Sequence, residues 1–311
     1  MLLGSVGAIP QGAGVIAALS AAFCWTVASL IWRRLPTSLT ATRLNLLKNL
    51  LALSLQVPLL LLAWRTGLPV EDLAPEILLL AGSGIIGIAL GDSLHFAALR
   101  RLGTRRTLTI ASAAPALTAV VGIGLLGETP RPAQWPGIAL ISMAVLLVSR
   151  RDPGPGASGA LRLDVLGLVL AFSALVCNCG GALLSRAALR SGSVDPLEAS
   201  TLRLTAAALV MLPLLKGMPR PGGLPRPAKR RWPRLLLATV LGTSLGLWLQ
   251  QAALAGLQGG IAVALISTSP VMALLFAPLE GDRPGWRGGL AACAVVFGVS
   301  LVIWPAGGSW F

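Results

Sequence analysis

The chain has 311 residues, of which 55% are hydrophobic and only 12% charged, and its formal net charge is +14. A soluble domain carries about a quarter charged residues, so this chain has too little polar surface for a water-facing fold of its size. The positive charge would suggest nucleic acid in a soluble protein, but here it falls in loops between apolar runs, a pattern that does not support nucleic acid as a partner.

Apolar stretches near 20 residues recur from end to end, long enough to cross a roughly 30 Å hydrocarbon layer as helices. They predict ten spans, at 14–32, 41–63, 75–99, 107–127, 133–149, 165–185, 197–215, 235–254, 259–279 and 288–304. Strand alternation is absent, which argues against a β-barrel. The fold class is an all-α polytopic membrane protein.

The first span carries Trp25 and is preceded by no Lys or Arg, so it reads as a retained helix rather than a secretory signal. The second carries Asn45, Lys48, Asn49 and Gln56. Asn45, Asn49 and Gln56 form one stripe, with Lys48 at its edge. Such a stripe is costly against lipid, so it is expected to face the protein interior. Arg43 and Arg203, near the starts of the second and seventh spans, read as snorkelling or anchoring residues.

The third span ends in GDSLHFAALRRLGTRR (91–106), with Asp92 and the chain's single histidine, His95, inside an apolar run. Asp92 lies eight residues before Arg100, which at 1.5 Å per residue is about 12 Å below the interface. An ionisable group at mid-membrane costs about 2.5–3.5 kcal/mol, so each needs a partner or a purpose. Residues three apart share a helix face, so Asp92 and His95 can relay a proton near neutral pH or hold each other as structural glue. Lys48 is the available counter-charge, for Asp92 or for a substrate carboxylate.

Asn178 in the sixth span and Trp248, Gln250 and Gln251 in the eighth complete a candidate substrate-binding set with Trp25, Asn45, Lys48 and Asn49. For Trp25, Asn178, Trp248, Gln250 and Gln251 ordinary helix packing is at least as strong a reading as binding. Glu128 and Glu280 close the fourth and ninth spans and read as turn or capping residues. The Gly-xxx-Gly runs 87–91 and 242–246 read as close-packing faces. Cys24, Cys177, Cys179 and Cys293 all lie in apolar spans and read as packing residues, and neither a metal site nor a cofactor motif is expected.

Of the 25 Lys and Arg, 18 fall in alternate loops and only Arg65, Arg131, Arg186 and Arg190 in the opposite ones. The positive-inside rule then places both termini outside the cytoplasm and sets KRRWPR (229–234) against anionic lipid headgroups. Trp32, Trp64, Trp135, Trp232, Trp286, Trp304 and Trp310 sit at or near span ends, where indole prefers the interface.

The chain also repeats itself. An offset of 153 lays GVIAALSAAFCW (14–25) on GLVLAFSALVCN (167–178), pairing Trp25 with Asn178 and, further on, Arg33 with Arg186. An offset of 160 lays TRLNL (42–46) on LRLTA (202–206). An offset of 155 lays GIALGDSLHFAALRRLG (87–103) on GTSLGLWLQQAALAGLQ (242–258), which sets Leu247 and Gln250 opposite Asp92 and His95 and Pro270 opposite Pro115. GETPRPAQW (127–135) parallels LEGDRPGW (279–286). The units are 14–149 and 165–304, joined by a Pro- and Gly-rich linker at 150–164. Each holds five spans, an odd number, so the second enters the membrane from the other side as an inverted-topology repeat.

With the arginine opening the second span of each unit (Arg43, Arg203), the run from Gly91 to Gly103, the fourth-span prolines (Pro115, Pro270) and the closing glutamates (Glu128, Glu280), the chain resembles the EamA-type branch of the drug/metabolite transporter superfamily. The resemblance covers about 14–304. It implies an exporter of amino acids, other metabolites or toxic compounds with a central cavity between the halves. Relatives are generally drawn with both termini in the cytoplasm, whereas the loop charges here say the reverse.

The expected function is secondary export of small organic metabolites, amino-acid-like or amphipathic, across the plasma (inner) membrane by alternating access. Asp92 and His95 are the candidate proton-coupling residues, and a solute, protons and membrane lipids are the expected partners. A flippase for a lipid-linked sugar is the alternative that the superfamily leaves open. An intramembrane serine hydrolase fits less well, because Ser83 and His95 are about 18 Å apart along one helix. No phosphate-binding loop occurs to support ATP-driven transport.

Overall fold

The computed structural model describes residues 9–33, 40–63, 73–149, 164–217, 231–280 and 285–304. Residues 150–163 of the linker, the loop residues 218–230, Trp64 and Trp310 lie outside the described residues, as do the side chains of Trp32, Arg33 and Glu280. Among the described residues the elements are helical and no strand occurs.

Helices α1 (Gln11–Arg33) and α2 (Ala41–Ala63) occupy the first two predicted spans. The third span is composite: α3 (Ala74–Ser83) passes into a π-helical stretch, Gly84–Asp92, and then into α4 (Ser93–Ala111). Gly103, with φ 74°, turns the chain within α4 and separates the third span from the fourth, a conformation that costs glycine nothing and an L side chain much. The fourth span continues as α5 (Ala114–Leu126) after a break at Ser112 and Ala113. Pro115 explains the break: it offers no N–H, and its ring crowds the carbonyl of residue 111.

The short helix α6 (Gln134–Ser149) follows. Then come α7 (Val165–Leu189), capped by the Asp164 carboxylate on Gly167 N, and α8 (Pro196–Met211), which opens with a reciprocal Asp195–Glu198 capping box. The eighth span is composite in the manner of the third: α9 (Arg231–Thr239), a π-helical stretch Val240–Leu245, and α10 (Gly246–Gly256). The ninth breaks before Pro270 as the fourth breaks before Pro115, giving α11 (Gly259–Ile266), α12 (Ser269–Met272) and a 3-10 stretch, Ala273–Glu280. Helix α13 (Trp286–Ile303) closes the described chain. The internal repeat therefore shows as paired departures from α-helix at matching places.

Among the described residues, nine helices are long and apolar enough to cross a membrane. The element expected at 133–149 is apolar but shorter, over Gln134–Val148. Its start is fixed by Gln134, which accepts a hydrogen bond from Arg131 N at 2.8 Å and donates to Val302 O at 3.2 Å. The surface is apolar, with Leu62 81%, Leu78 74%, Leu125 73% and Val296 67% exposed. The interior is built on small residues such as Ala18, Ala21, Ala22, Ala119, Ala262 and Ala264. Such a surface suits hydrocarbon, where close helix packing rather than hydrophobic burial holds the bundle. This is a multi-pass membrane protein.

Contacts cross between the two repeats throughout. Helix α1 packs on α10 and α11, α7 on α3, the first π-helical stretch and α4, α2 on α8, α5 on α11 and α6 on α13. Two close approaches are reciprocal: a Cβ at Gly91 would lie 2.6 Å from Asn178 Oδ1, and one at Gly246 would lie 2.5 Å from Trp25 Nε1. Glycine at these two repeat-related positions is what lets α7 and α1 seat on the opposite half.

One offset read from sequence does not survive in the helix faces. The buried set on α2 (Asn45, Leu46, Asn49) recurs on α8 as Arg203, Leu204 and Ala207. By burial, Arg203 thus stands where Asn45 stands, not where the half-buried Arg43 stands. The short match TRLNL/LRLTA aligned the arginines, but the buried face, which has to fit the neighbouring helices, follows a register two residues away.

Candidate functional site

A π-helical turn bonds each N–H five residues back, so it leaves carbonyls without their usual α-helical partner and turns the following side chains. Here three side chains take up such carbonyls. Asn45 Nδ2 donates to Ile88 O at 2.8 Å, Trp25 Nε1 to Gly242 O at 2.6 Å, and Gln56 Nε2 to Ser244 O at 2.8 Å. The polar stripe of α2 therefore faces inward and engages both π-helical stretches, one in each half. Asn45, Asn49 and Gln56 are at most 1% exposed. Gln56 Oε1 also accepts from Ser200 and Thr201 on α8, both at 3.4 Å. The amide donors of Asn45 and Asn49 approach the Met211 sulfur at 4.0 and 3.9 Å.

Beside this stripe, Lys48 Nζ donates to Asp92 Oδ2 at 2.8 Å, with side chains 14% and 32% exposed. Asp92 ends the first π-helical stretch, and that bulge carries its carboxylate to α2. His95 is half-buried and its ring lies 6.2 Å from that of Phe96, above which Lys48 Nζ sits at 5.5 Å. The carboxylate thus pairs with Lys48, not with His95 as mutual glue would require. His95 still lies within the electrostatic reach of both Asp92 and Lys48.

Arg203 is where the structure departs most from the sequence reading. It does not snorkel: it is 3% exposed, and among the described residues only its Nη1 finds a partner, Gln250 Oε1 at 3.4 Å. Its Nε has none. Asp92 is the carboxylate whose charge reaches it. The signal that could have found Arg203 is depth: it lies eight residues past the cap Asp195, about 12 Å into the helix, whereas Arg43 lies three past Thr40.

The remaining candidates divide. Gln250 joins Arg203, and Gln251 is fully buried with neither amide atom partnered. Trp25 and Asn178 serve helix seating at Gly246, Gly242 and Gly91. Trp248 is 40% exposed and is not drawn into the polar cluster by any of these bonds. Among the described residues, buried polar atoms without a partner concentrate in this region: Asn45 Oδ1, Asn49 Oδ1, Arg203 Nε, Thr239 Oγ1, Ser244 Oγ and both amide atoms of Gln251. Buried polar groups are normally satisfied, so such a concentration marks a place built to meet something else. Ser83 is not part of it, because its hydroxyl donates to Gly181 O at 2.5 Å and contacts Ser185 Oγ at 2.8 Å.

A second polar centre was read from sequence only as a cap. Glu128 is 5% exposed, pairs with Arg186 Nε at 3.0 Å and accepts from Gly259 N at 2.9 and 3.1 Å. Arg186 Nη1 donates to Leu254 O and Ala255 O at 2.8 and 3.0 Å. One ion pair thus satisfies the end of α10 and the start of α11, tying both to α7 and to the end of α5.

The family described as the EamA-like transporter family matches residues 12–150 and 165–304, once for each repeat. A solved structure, titled only as the crystal structure of a protein, aligns with a TM-score of 0.74 at 17% identity, covering 94% of this chain and 96% of its own. At that identity the likeness concerns the fold alone. No curated protein matches the sequence.

Proposed function

The chain belongs to the EamA-like transporter family, and from that premise we propose that it is a secondary transporter exporting small organic solutes, amino-acid-like or amphipathic, across the plasma membrane. In this reading ten spans form two inverted five-helix units, 14–149 and 165–304 joined by 150–164, with both termini outside the cytoplasm. The observation that carries the reading is the concentration of unpartnered buried polar atoms on α2, α8 and the composite eighth span, where the halves meet.

The proposed mechanism is alternating access. The two π-helical stretches bend as the halves rock, because their backbone bonds are already displaced from the α pattern and are held by exchangeable side-chain donors. Asp92, helped by His95, takes up and releases the coupling proton. Lys48 holds the carboxylate while it is charged and lets go when it is neutralised, which links protonation to the approach of α2 and the third span.

The direct test compares solutes accumulating outside cells with and without the protein. A solute class whose external level rises with expression supports export, and an unchanged external pool with the folded protein present rejects it. Orientation has its own test, in a variant whose native cysteines are replaced. A cysteine at Ser158 or Gly222 is expected to resist a membrane-impermeant thiol reagent in intact cells. Ready labelling reverses the orientation without touching the fold.

A further inference from the structure

We propose that Arg203 is the anchor for a carboxylate carried by the transported solute, so that the site takes organic acids or amino acids in preference to neutral or purely cationic molecules. The proposal rests on the transporter reading and adds a residue and a chemical requirement to it.

The argument begins with charge. Among the described residues, the cluster at the interface holds two basic side chains, Lys48 and Arg203, and one carboxylate, Asp92. Lys48 has taken that carboxylate at 2.8 Å. Arg203 is left 3% exposed, with one long bond to a neutral amide and an Nε that no described group accepts from. A buried guanidinium with five donors in a fixed fork, facing no anion of its own, is strongly disfavoured unless something else supplies the negative charge. The contrast within the molecule is direct. Arg186 is less deeply placed, with its side chain 15% exposed, yet it has a carboxylate and two backbone carbonyls. Among the described residues, Arg203 is the buried arginine with an unpartnered Nε.

Geometry adds the shape of the missing partner. The guanidinium lies against the first π-helical stretch: a Cβ at Gly87 would sit 3.3 Å from Nη2, so glycine there leaves the fork room. Gln250 Oε1, on α10 of the same half, accepts from Nη1, which orients the fork and leaves Nε for a ligand. A planar fork recognises a planar, two-oxygen acceptor best, and a carboxylate fits that description better than a spherical ion does. Asp92 ends the same π-helical stretch that the guanidinium lies against, so an ammonium group on the same solute would find a carboxylate on that stretch, in competition with Lys48.

The test uses the purified full-length protein in lipid nanodiscs at neutral pH. Thermal unfolding is followed with acetate, benzoate and glycine, each beside its primary amide, and with chloride at matched ionic strength. At least one carboxylate is expected to raise Tm in the wild type while its amide and chloride do not. Arg203→Gln is expected to abolish that shift. It should also raise the unliganded Tm by about 2–4 °C, because an uncompensated buried charge has been removed. Arg203→Lys keeps the charge but loses the fork and is expected to weaken the response at least tenfold.

Three results would overturn the proposal. One is an equal response to chloride or to the amides. Another is a carboxylate shift that persists in Arg203→Gln. The last is no carboxylate response in the wild type; a lowered Tm in Arg203→Gln beside it makes Arg203 a structural residue. If the wild type fails to respond to carboxylates yet still changes the external solute pool of cells, the carboxylate assignment falls and the transporter reading stands.

Discussion

The two halves share a scaffold but not its charges. Each has a third span relaxed into a π-helical stretch at the same place, Gly84–Asp92 and Val240–Leu245, and a fourth span broken before a proline. On that common frame the first half carries Asp92 and His95, where the second carries Leu247 and Gln250. The second span of the first half presents Asn45, Lys48 and Asn49; its counterpart α8 presents Arg203 and a run of alanines, Ala206–Ala208. Backbone departures that permit bending must occur in both halves if the halves are to exchange shapes. Ionisable groups are expensive in hydrocarbon, so one carboxylate with its cations suffices where a symmetric pair would add cost.

The largest expected effect breaks this asymmetry at Asp92. Asp92→Asn keeps a hydrogen-bonding group opposite Lys48 but removes the titrating one. Export driven by a pH gradient into proteoliposomes is expected to fall by roughly tenfold or more, the scale of losing a positioned proton-transfer group. Exchange at equal pH should persist. Leu247→Asp added to that variant is expected not to restore the coupling, since the alanines of α8 supply no cation in the place of Lys48. Full pH-driven export by Asp92→Asn alone would make the ion pair structural.

Next is the Glu128–Arg186 tie, which has no titrating role in this scheme. Glu128→Gln leaves Arg186, whose side chain is 15% exposed, without its anion and Gly259 N with a weaker acceptor. A loss of about 3–5 kcal/mol is expected, as for other broken buried pairs, read as a lowered Tm. A Tm within 1 or 2 °C of the wild type would show that the carbonyls of Leu254 and Ala255 suffice for Arg186.

A smaller effect on stability separates function from packing on α2. Asn49→Leu replaces an amide whose oxygen is unpartnered and whose nitrogen meets only a sulfur. Removing such a group is close to neutral, within about 1 kcal/mol. Transport should nonetheless weaken if α2 lines the solute path, and normal transport by this variant and by Trp248→Ala would move the site elsewhere.

The smallest effect lies outside the membrane. Asp164 is held below the usual carboxylate range, first by the Gly167 N–H at the start of α7 and then by Arg101. A carboxyl group whose folded value is depressed stabilises the protein above its ordinary range, and the contribution is lost as pH falls through the depressed value. Asp164→Ala is expected to lower Tm slightly at pH 7, with the difference from the wild type vanishing in acid. A difference that persists in acid would assign the effect to chain stiffness at the cap instead.

Much of this was legible in the sequence, because the bilayer imposes long apolar runs, loop-charge bias and indole placement that can be counted along one dimension. The spans, the duplication, the inward stripe of α2 and the nearness of Lys48 to Asp92 all follow from spacing and the cost of polar groups in lipid. The shortness of α6, the π-helical stretches, the register of α8 and the depth of Arg203 do not. Each depends on which neighbour a residue meets: Gln134 on Val302, Asn45 on a freed carbonyl at Ile88, Gly87 beside the Arg203 fork. A sequence match at Arg43 and Arg203 records residue type, whereas burial records the face turned to the partner helix. A shift of two residues rotates that face by about half a turn at 3.6 residues per turn, so only the packed bundle could decide that Arg43 is half-buried near a helix start and Arg203 is buried at the interface between the halves.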